Sequence, residues 1–241
     1  MITPLYEDNH LIAVSKKNNL LSQKDITKET SLFDLVKKYL KEKYNKPGNV
    51  YLGLVHRLDK PVSGVMLFAK NSKAAKRLHQ EFKERRVIKI YLALVPNKIK
   101  ISREWIDLNQ HLLRRSGFSE IFSTEQDNSK SAHLRYRVIS TYQNLALVMV
   151  QLFTGRKHQI RAQLSSVNLP ILGDNKYGSK KKNIFPEIML HAYLLSVIHP
   201  TKKERINIFS TPPKNFLKTI NLSSEKINRL TEKTLNSIIK P

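Results

Sequence analysis

The sequence predicts a fold that combines buried β-strands with amphipathic helices, and three stretches carry that expectation. Val65 to Ala69 is an unbroken apolar run without alternation, the pattern of a strand covered on both faces. Ile88 to Val95 alternates, with Ile88, Ile90, Leu92 and Leu94 in one row and Lys89, Tyr91, Ala93 and Val95 in the other. From Ser31 the period becomes helical: Leu32, Leu35, Val36, Tyr39 and Leu40 share a face, and Asp34 stands three residues after Ser31 to close a capping box.

The remaining elements follow in order. Leu11 to Val14 is a short strand after a turn, and the first helix runs to about Tyr44, before Pro47-Gly48. Val50 to Val55 leads as an extended segment into the buried strand. Asn71 or Ser72 caps a second helix, with Ala75, Leu78 and Phe82 apolar and Lys73, Lys76, Arg77, Lys83, Arg85 and Arg86 basic. Asn97 to Ser131 is polar and reads as irregular excursions. Leu134, Tyr136 and Val138 alternate with Arg135 and Arg137 as a strand, and Leu145 to Phe153 is long and apolar enough for a central one. Strands at Leu190 to His199 and Ile206 to Phe209 follow, and Thr211-Pro212-Pro213 closes the core. At 241 residues the chain is read as one main domain, 1–222, with an amphipathic helical tail, 223–241, through Ile227, Leu230, Leu235 and Ile238.

Composition narrows the partners. Lys and Arg number 43 against 19 Asp and Glu, a formal charge of +24 spread along the chain, which suits a polyanion. Nucleic acid ranks first, because a protein that neutralises phosphates releases counterions. An anionic membrane ranks lower, since no long apolar span or signal peptide is present, and the cytoplasm is the expected compartment. Cysteine is absent, which removes disulfides, thiolate metal sites and a cysteine nucleophile.

Two motifs carry chemistry. In Val55-His56-Arg57-Leu58-Asp59-Lys60-Pro61, followed by Ser63-Gly64, one carboxylate stands among three potentially cationic side chains. Neighbouring positive charge favours the ionised Asp59, available as nucleophile or base. In Thr154-Gly155-Arg156-Lys157-His158-Gln159-Ile160-Arg161 a strand meets a helix, whose N-terminus attracts anions. There His158, Arg161 and Ser165 share one helical face, Ile160, Leu164 and Val167 another, and Arg161 could grip a carboxylate bidentately.

Taken in order, these motifs resemble the signatures of the RluA-type pseudouridine synthases, and Lys89-x-Tyr91-x-Ala93, Pro170-Ile171-Leu172-Gly173-Asp174 and Leu190-His191-Ala192 extend the resemblance. It implies an α+β fold: a mixed, largely antiparallel central sheet flanked by helices. It further implies Asp59 as the catalytic residue, Arg161 as its ion-pair partner and Tyr91 as the active-site tyrosine, with no cofactor and no metal. Arg57 would fill the space of a flipped uridine. His56, Arg156, His158, Lys73, Lys76 and Arg77 join it as candidate RNA contacts, the substrate being a structured ribosomal or transfer RNA stem-loop and the enzyme a monomer. The sequence departs from the family at Lys16-Lys17-Asn18-Asn19, where Lys-Pro-x-Gly is usual, at Leu134 in place of Thr, and at Asn168 in place of Gly. The first thirty residues are too few for the small RNA-binding module that some members carry ahead of the catalytic domain.

Structural roles stand beside the functional ones: His56 orienting its turn, His158 capping its helix, Asp174 stabilising its own loop, His191 packing in a strand. Two other activities remain open. One is a metal-dependent phosphoesterase with His56, Asp59, His158, Asp174 and His191 as ligands, although no tight ligand cluster occurs in the sequence. The other is a non-catalytic RNA chaperone acting through basic surface alone.

Overall fold

The chain opens on a hairpin whose turn is closed by Asp8, its carboxylate accepting from the His10 and Leu11 amides at 2.8 Å each. In the computed structural model, which describes residues 2–97, 104–178 and 185–239, β1 (Pro4–Glu7) and β2 (Leu11–Lys16) pair antiparallel. Helix α1 (Leu32–Lys43) follows, its capping box formed by Ser31 and Asp34 and its buried face by Leu32, Val36 and Leu40. After the short β3 (Gly53–Leu54) comes β4 (Ser63–Ala69), in which all seven residues are buried. It runs antiparallel to β2, with Leu11 opposite Ala69 and Lys16 opposite Gly64. Helix α2 (Ser72–Lys83) lies against β4, and the Asn71 side chain caps it by accepting from the Ala74 amide at 2.8 Å.

From Ile88 the chain builds a second sheet: β5 (Ile88–Pro96), β6 (Ile106–Arg114), β7 (Ser119–Phe122), β8 (Lys130–Tyr142) and β9 (Leu145–Leu152), antiparallel in the order β5-β9-β8-β6-β7. Helix α3 (Gln159–Ser166) packs against β6 and β7. Strand β10 (Leu190–Ile198) then returns beside β4 and pairs antiparallel with β11 (Arg205–Phe209). The chain ends in α4 (Lys214–Ile220), against β9, and α5 (Ser224–Ile239), against β8. Two compact units result: Met1–Val87 with Ala192–Ser210, and Ile88–His191 with Thr211–Pro241. The architecture is the mixed, largely antiparallel sheet with flanking helices that the motifs implied.

Two glycines show why the motifs need no side chain at their turns. Gly64 has φ +124°, and a Cβ there would stand 2.3 Å from the Ala192 carbonyl oxygen. Gly173 has φ +76°, and its Cβ would meet the Glu187 carbonyl oxygen at 1.9 Å.

Three expectations need correction. Asn97 to Ser131, read as irregular, contains β6 and β7, while residues 98–103 of it lie outside the described residues. Its period was hidden because Gln110 occupies the row of Leu108 and Leu112, its side-chain oxygen accepting from Gln163 Nε2 at 3.1 Å. Thr211 to Pro213 does not end the core: α4 starts straight after Pro213 and buries Phe216 and Ile220. The expected tail helix is present as α5 and belongs to the second unit, but its buried stripe is Ile227, Thr231, Thr234 and Leu235, with Leu230 and Ile238 only half-buried. Residues 240 and 241 of that tail lie outside the described residues. Among the described residues no helix is long and apolar enough to cross a membrane.

Candidate active site

In the first unit Asp59 stands on a turn that delivers the chain into the buried β4. The turn closes on itself through the Val62 amide, which donates to the Asp59 carbonyl at 3.0 Å. Three side chains then grip the backbone on either side of Asp59. Ser22 Oγ accepts from the Leu58 amide at 3.1 Å and donates to the Leu58 carbonyl at 2.7 Å. Asn18 Nδ2 donates to the Pro61 carbonyl at 2.9 Å, and Lys16 Nζ to the Lys60 carbonyl at 2.8 Å. The Asp59 side chain is half-buried and Arg57 exposed.

His56 is fixed from two sides: its Nε2 accepts from the Leu67 amide at 2.9 Å, and its ring stacks on Phe82 at 5.1 Å between centroids. That is the orienting role. On α2, Lys73 and Lys76 are exposed, as the basic face required, whereas Arg77 donates to the Pro200 carbonyl at 2.6 Å.

In the second unit Arg161 is 5% exposed on α3, and its bidentate partner is Asp174, with Nε and Nη2 each 2.7 Å from a carboxylate oxygen. Asp174 also accepts from the Lys176 and Tyr177 amides at 3.0 and 3.1 Å, so it does stabilise its own loop. The guanidinium lies 5.2 Å from the centre of the Tyr177 ring. The helical face foreseen for His158, Arg161 and Ser165 closes on that one tyrosine: the Tyr177 hydroxyl is 3.0 Å from His158 Nδ1, and Ser165 Oγ donates to the Tyr177 carbonyl at 2.6 Å. Burial pushes the Tyr177 phenol up, against the Ser119 amide donating to it and the charge of Arg161. Sequence reasoning gave Asp174 to its loop and missed Arg161; the signal was the Gly173-Asp174 turn followed by Tyr177, whose residues sit eight or more positions past the helix they hold.

His158 departs from its capping role. It occupies the N-cap position at φ +57° without any side-chain cap bond. Gln159 performs that work, its Oε1 accepting from the Arg156 amide at 3.0 Å and from Thr154 Oγ1 at 2.8 Å. Arg156 Nε donates to the Ser131 carbonyl at 3.1 Å. Tyr91 lies on β5 opposite Val150, half-buried, with Ile90 and Leu92 turned to the other face. His191 is fully buried in β10.

The five residues weighed as metal ligands do not assemble: among the described residues no three His, Asp or Glu side chains form a group that could hold a metal ion. His56 and His158 already spend a ring nitrogen on Leu67 and Tyr177, and Asp174 is occupied by Arg161.

Comparison with known proteins agrees with this arrangement. Residues 10–166 match the family model described as RNA pseudouridylate synthase. The ribosomal large subunit pseudouridine synthase D of Borreliella burgdorferi is 33% identical over 205 residues, 81% of this chain and 61% of that protein. The ribosomal large subunit pseudouridine synthase C of Rickettsia prowazekii is 37% identical over 190 residues, 78% of this chain and 60% of that protein. The chain thus spans about three fifths of the length of these two curated relatives. Among solved structures, human RNA pseudouridylate synthase domain containing 4 superposes with a TM-score of 0.75 at 25% identity, covering 91% of this chain and 93% of that one. Human RNA pseudouridylate synthase domain containing 1 gives 0.71 at 26% identity, covering 91% and 86%. With the HRLD turn, the helix-borne Arg161 and more than half of the sequence in agreement, the chain belongs to the RNA pseudouridylate synthase family.

Proposed function

We propose that the protein is an RNA pseudouridine synthase that isomerises a specific uridine in structured RNA, with Asp59 as nucleophile. The observation that carries this reading is the Asp59 turn, whose backbone is held at Leu58, Lys60 and Pro61 ahead of a fully buried strand. Such a turn aims a carboxylate without asking the carboxylate to hold the fold.

The reaction is an isomerisation, so it needs no oxidant, reductant or group donor. The N1–C1′ bond of uridine breaks, the uracil rotates, a C5–C1′ bond forms, and the proton on C5 leaves while N1 regains one. Asp59 serves the cleavage step, either by attacking C1′ or by drawing a proton from the sugar. Arg161, already fixed by Asp174, is assigned as the cation that accompanies the Asp59 charge. Tyr91 is assigned to the flipped base and as the group that takes the C5 proton. Arg57, exposed beside Asp59, takes the place of the extruded nucleotide, and Lys73 and Lys76 contact phosphates. His56, Arg156, His158 and Arg77 act on RNA indirectly, by shaping the turns and the helix that carry these groups.

The printed functions of the relatives point to large-subunit ribosomal RNA as substrate, with transfer RNA as the alternative. We assign residues 1–222 as the catalytic domain, with both compact units serving one reaction, and a monomer acting in the cytoplasm. The test is to incubate wild type and Asp59→Asn with uridine-labelled total RNA in the presence of a chelator, then digest and quantify pseudouridine. Product from wild type alone supports the reading. Equal RNA binding by both proteins with no product on any RNA class replaces it with the chaperone.

A further inference from the structure

Beneath the Asp59 turn lies a buried charge that the reaction above does not use. Lys16 ends β2 with 0% exposure, although Ser15 and Lys17 on either side of it are exposed. Its Nζ donates to three backbone carbonyls: Leu20 at 2.7 Å, Lys60 at 2.8 Å and Lys17 at 3.1 Å. Three acceptors match the three N–H bonds of an ammonium. Two of them belong to the loop after β2, and the third belongs to the residue that follows Asp59, so one side chain joins that loop to the catalytic turn.

Hydrogen bonds alone do not justify burying this charge. Neutral carbonyls satisfy the donors of an ammonium but do not neutralise it, and a buried ion without countercharge is strongly disfavoured. The charged side chains on the segments around Lys16 are Arg57, Asp59 and Lys60 on the turn and Lys17 on the loop. Arg57, Lys17 and Lys60 are exposed cations, the last paired with Glu29 at 2.7 Å. Asp59 is the anion among them. Burial pushes the Lys16 ammonium down to about 7, and the negative charge of Asp59 opposes that fall.

We propose that Lys16 is a positioning residue for Asp59: its buried ammonium fixes the catalytic turn through the Lys60 carbonyl and supplies the countercharge that keeps the Asp59 carboxylate ionised. This rests on the reading of Asp59 as nucleophile. It also gives a reason for the loop sequence Lys16-Lys17-Asn18-Asn19, since Asn18 holds the next carbonyl of the same turn, that of Pro61.

Two measurements on the full chain test it. In the first, Lys16→Met, which keeps the length of the side chain without its charge, is compared with wild type for kcat and KM from pH 6 to 9. The expected result is a kcat about 100-fold lower with KM within about twofold, as for a misplaced reacting group. Wild type should also lose kcat on the alkaline side as Lys16 gives up its proton, a limb that Lys16→Met lacks. A folded Lys16→Met with wild-type kcat, or with the alkaline limb intact, overturns the proposal.

In the second, NMR with lysine labelled at Cε follows the Lys16 titration in wild type and in Asp59→Asn. Lys16 should titrate well below the other lysines, and Asp59→Asn should lower its midpoint further. An unmoved midpoint overturns the proposal, and this arm decides alone if Lys16→Met does not fold. Should wild type make no pseudouridine from any RNA, the proposed function fails, while a lowered midpoint in Asp59→Asn would still support the pairing of Lys16 with Asp59.

Discussion

Asp59 and Arg161 are held in opposite ways. The contacts that fix Asp59 fall on its neighbours' backbone, with Ser22 on Leu58, Lys16 on Lys60 and Asn18 on Pro61, and its side chain stays half-buried. Arg161 is held by its side chain, clamped by Asp174 and laid over Tyr177 at 5% exposure. The difference fits the division of labour. A group that must form and break a bond is aimed through its backbone, whereas a group that only supplies fixed charge is immobilised at the charge itself.

Substitutions that loosen one grip at a time test that contrast. The largest effect should come from Asp174→Asn, which leaves the buried guanidinium without its carboxylate. Breaking such a pair by removing one partner costs roughly 3–5 kcal/mol, so thermal unfolding should occur at a clearly lower temperature and pseudouridine formation should fall with it. An unchanged melting temperature would mean that the side-chain grip on Arg161 is weaker than its geometry implies.

Ser22→Ala should do less. One hydroxyl satisfies both the amide and the carbonyl of Leu58 in a buried position, and leaving such groups unpaired costs about 1–3 kcal/mol. Because the loss falls next to Asp59, kcat should drop with little change in KM, which steady-state kinetics would read.

The smallest effect on activity belongs to a side-chain grip with no reactive group near it. Glu7 accepts from Tyr39, Lys43, Tyr44 and Lys70 at 2.7 to 3.1 Å, joining β1 to α1 and to the residue after β4. Burial works to raise its carboxyl, but the bonds from Lys43, Tyr44 and Lys70 outweigh it and hold the group at about 2 against an ordinary 4.5. A depressed folded value means stability that is fully present above 4.5 and lost as the pH falls toward 2. Glu7→Gln should therefore flatten the acid side of the stability curve while leaving kcat at neutral pH unchanged, as unfolding scans from pH 2 to 6 and a single assay would show.

What the sequence made legible was local. The run Val65 to Ala69, the Ser31 and Asp34 capping box and the Asn71 cap are complete within a few residues, and each is where its pattern put it. The HRLD and TGRKHQIR motifs were equally readable, because fixed neighbours along the chain define them. The rest depends on partners far away in sequence. Ser22 meets Leu58 across 36 positions and Lys16 meets Lys60 across 44, and no periodicity announces either contact. A lysine at the end of a strand reads as a solvent-facing residue, so the buried ammonium of Lys16 is visible only once the turn is folded over it. Strand β6 escaped for a related reason: Gln110 in an inward row looks polar until Gln163 is there to meet it.

The most direct test of the central claim is a single-turnover assay of Asp59→Asn with enzyme in excess over a uridine-containing ribosomal RNA fragment, alongside RNA binding by the same variant. The predicted result is binding close to wild type with no pseudouridine formed. Pseudouridine appearing in that variant at the wild-type rate would contradict the assignment of Asp59 as the nucleophile, and with it the reading of the turn as an aiming device.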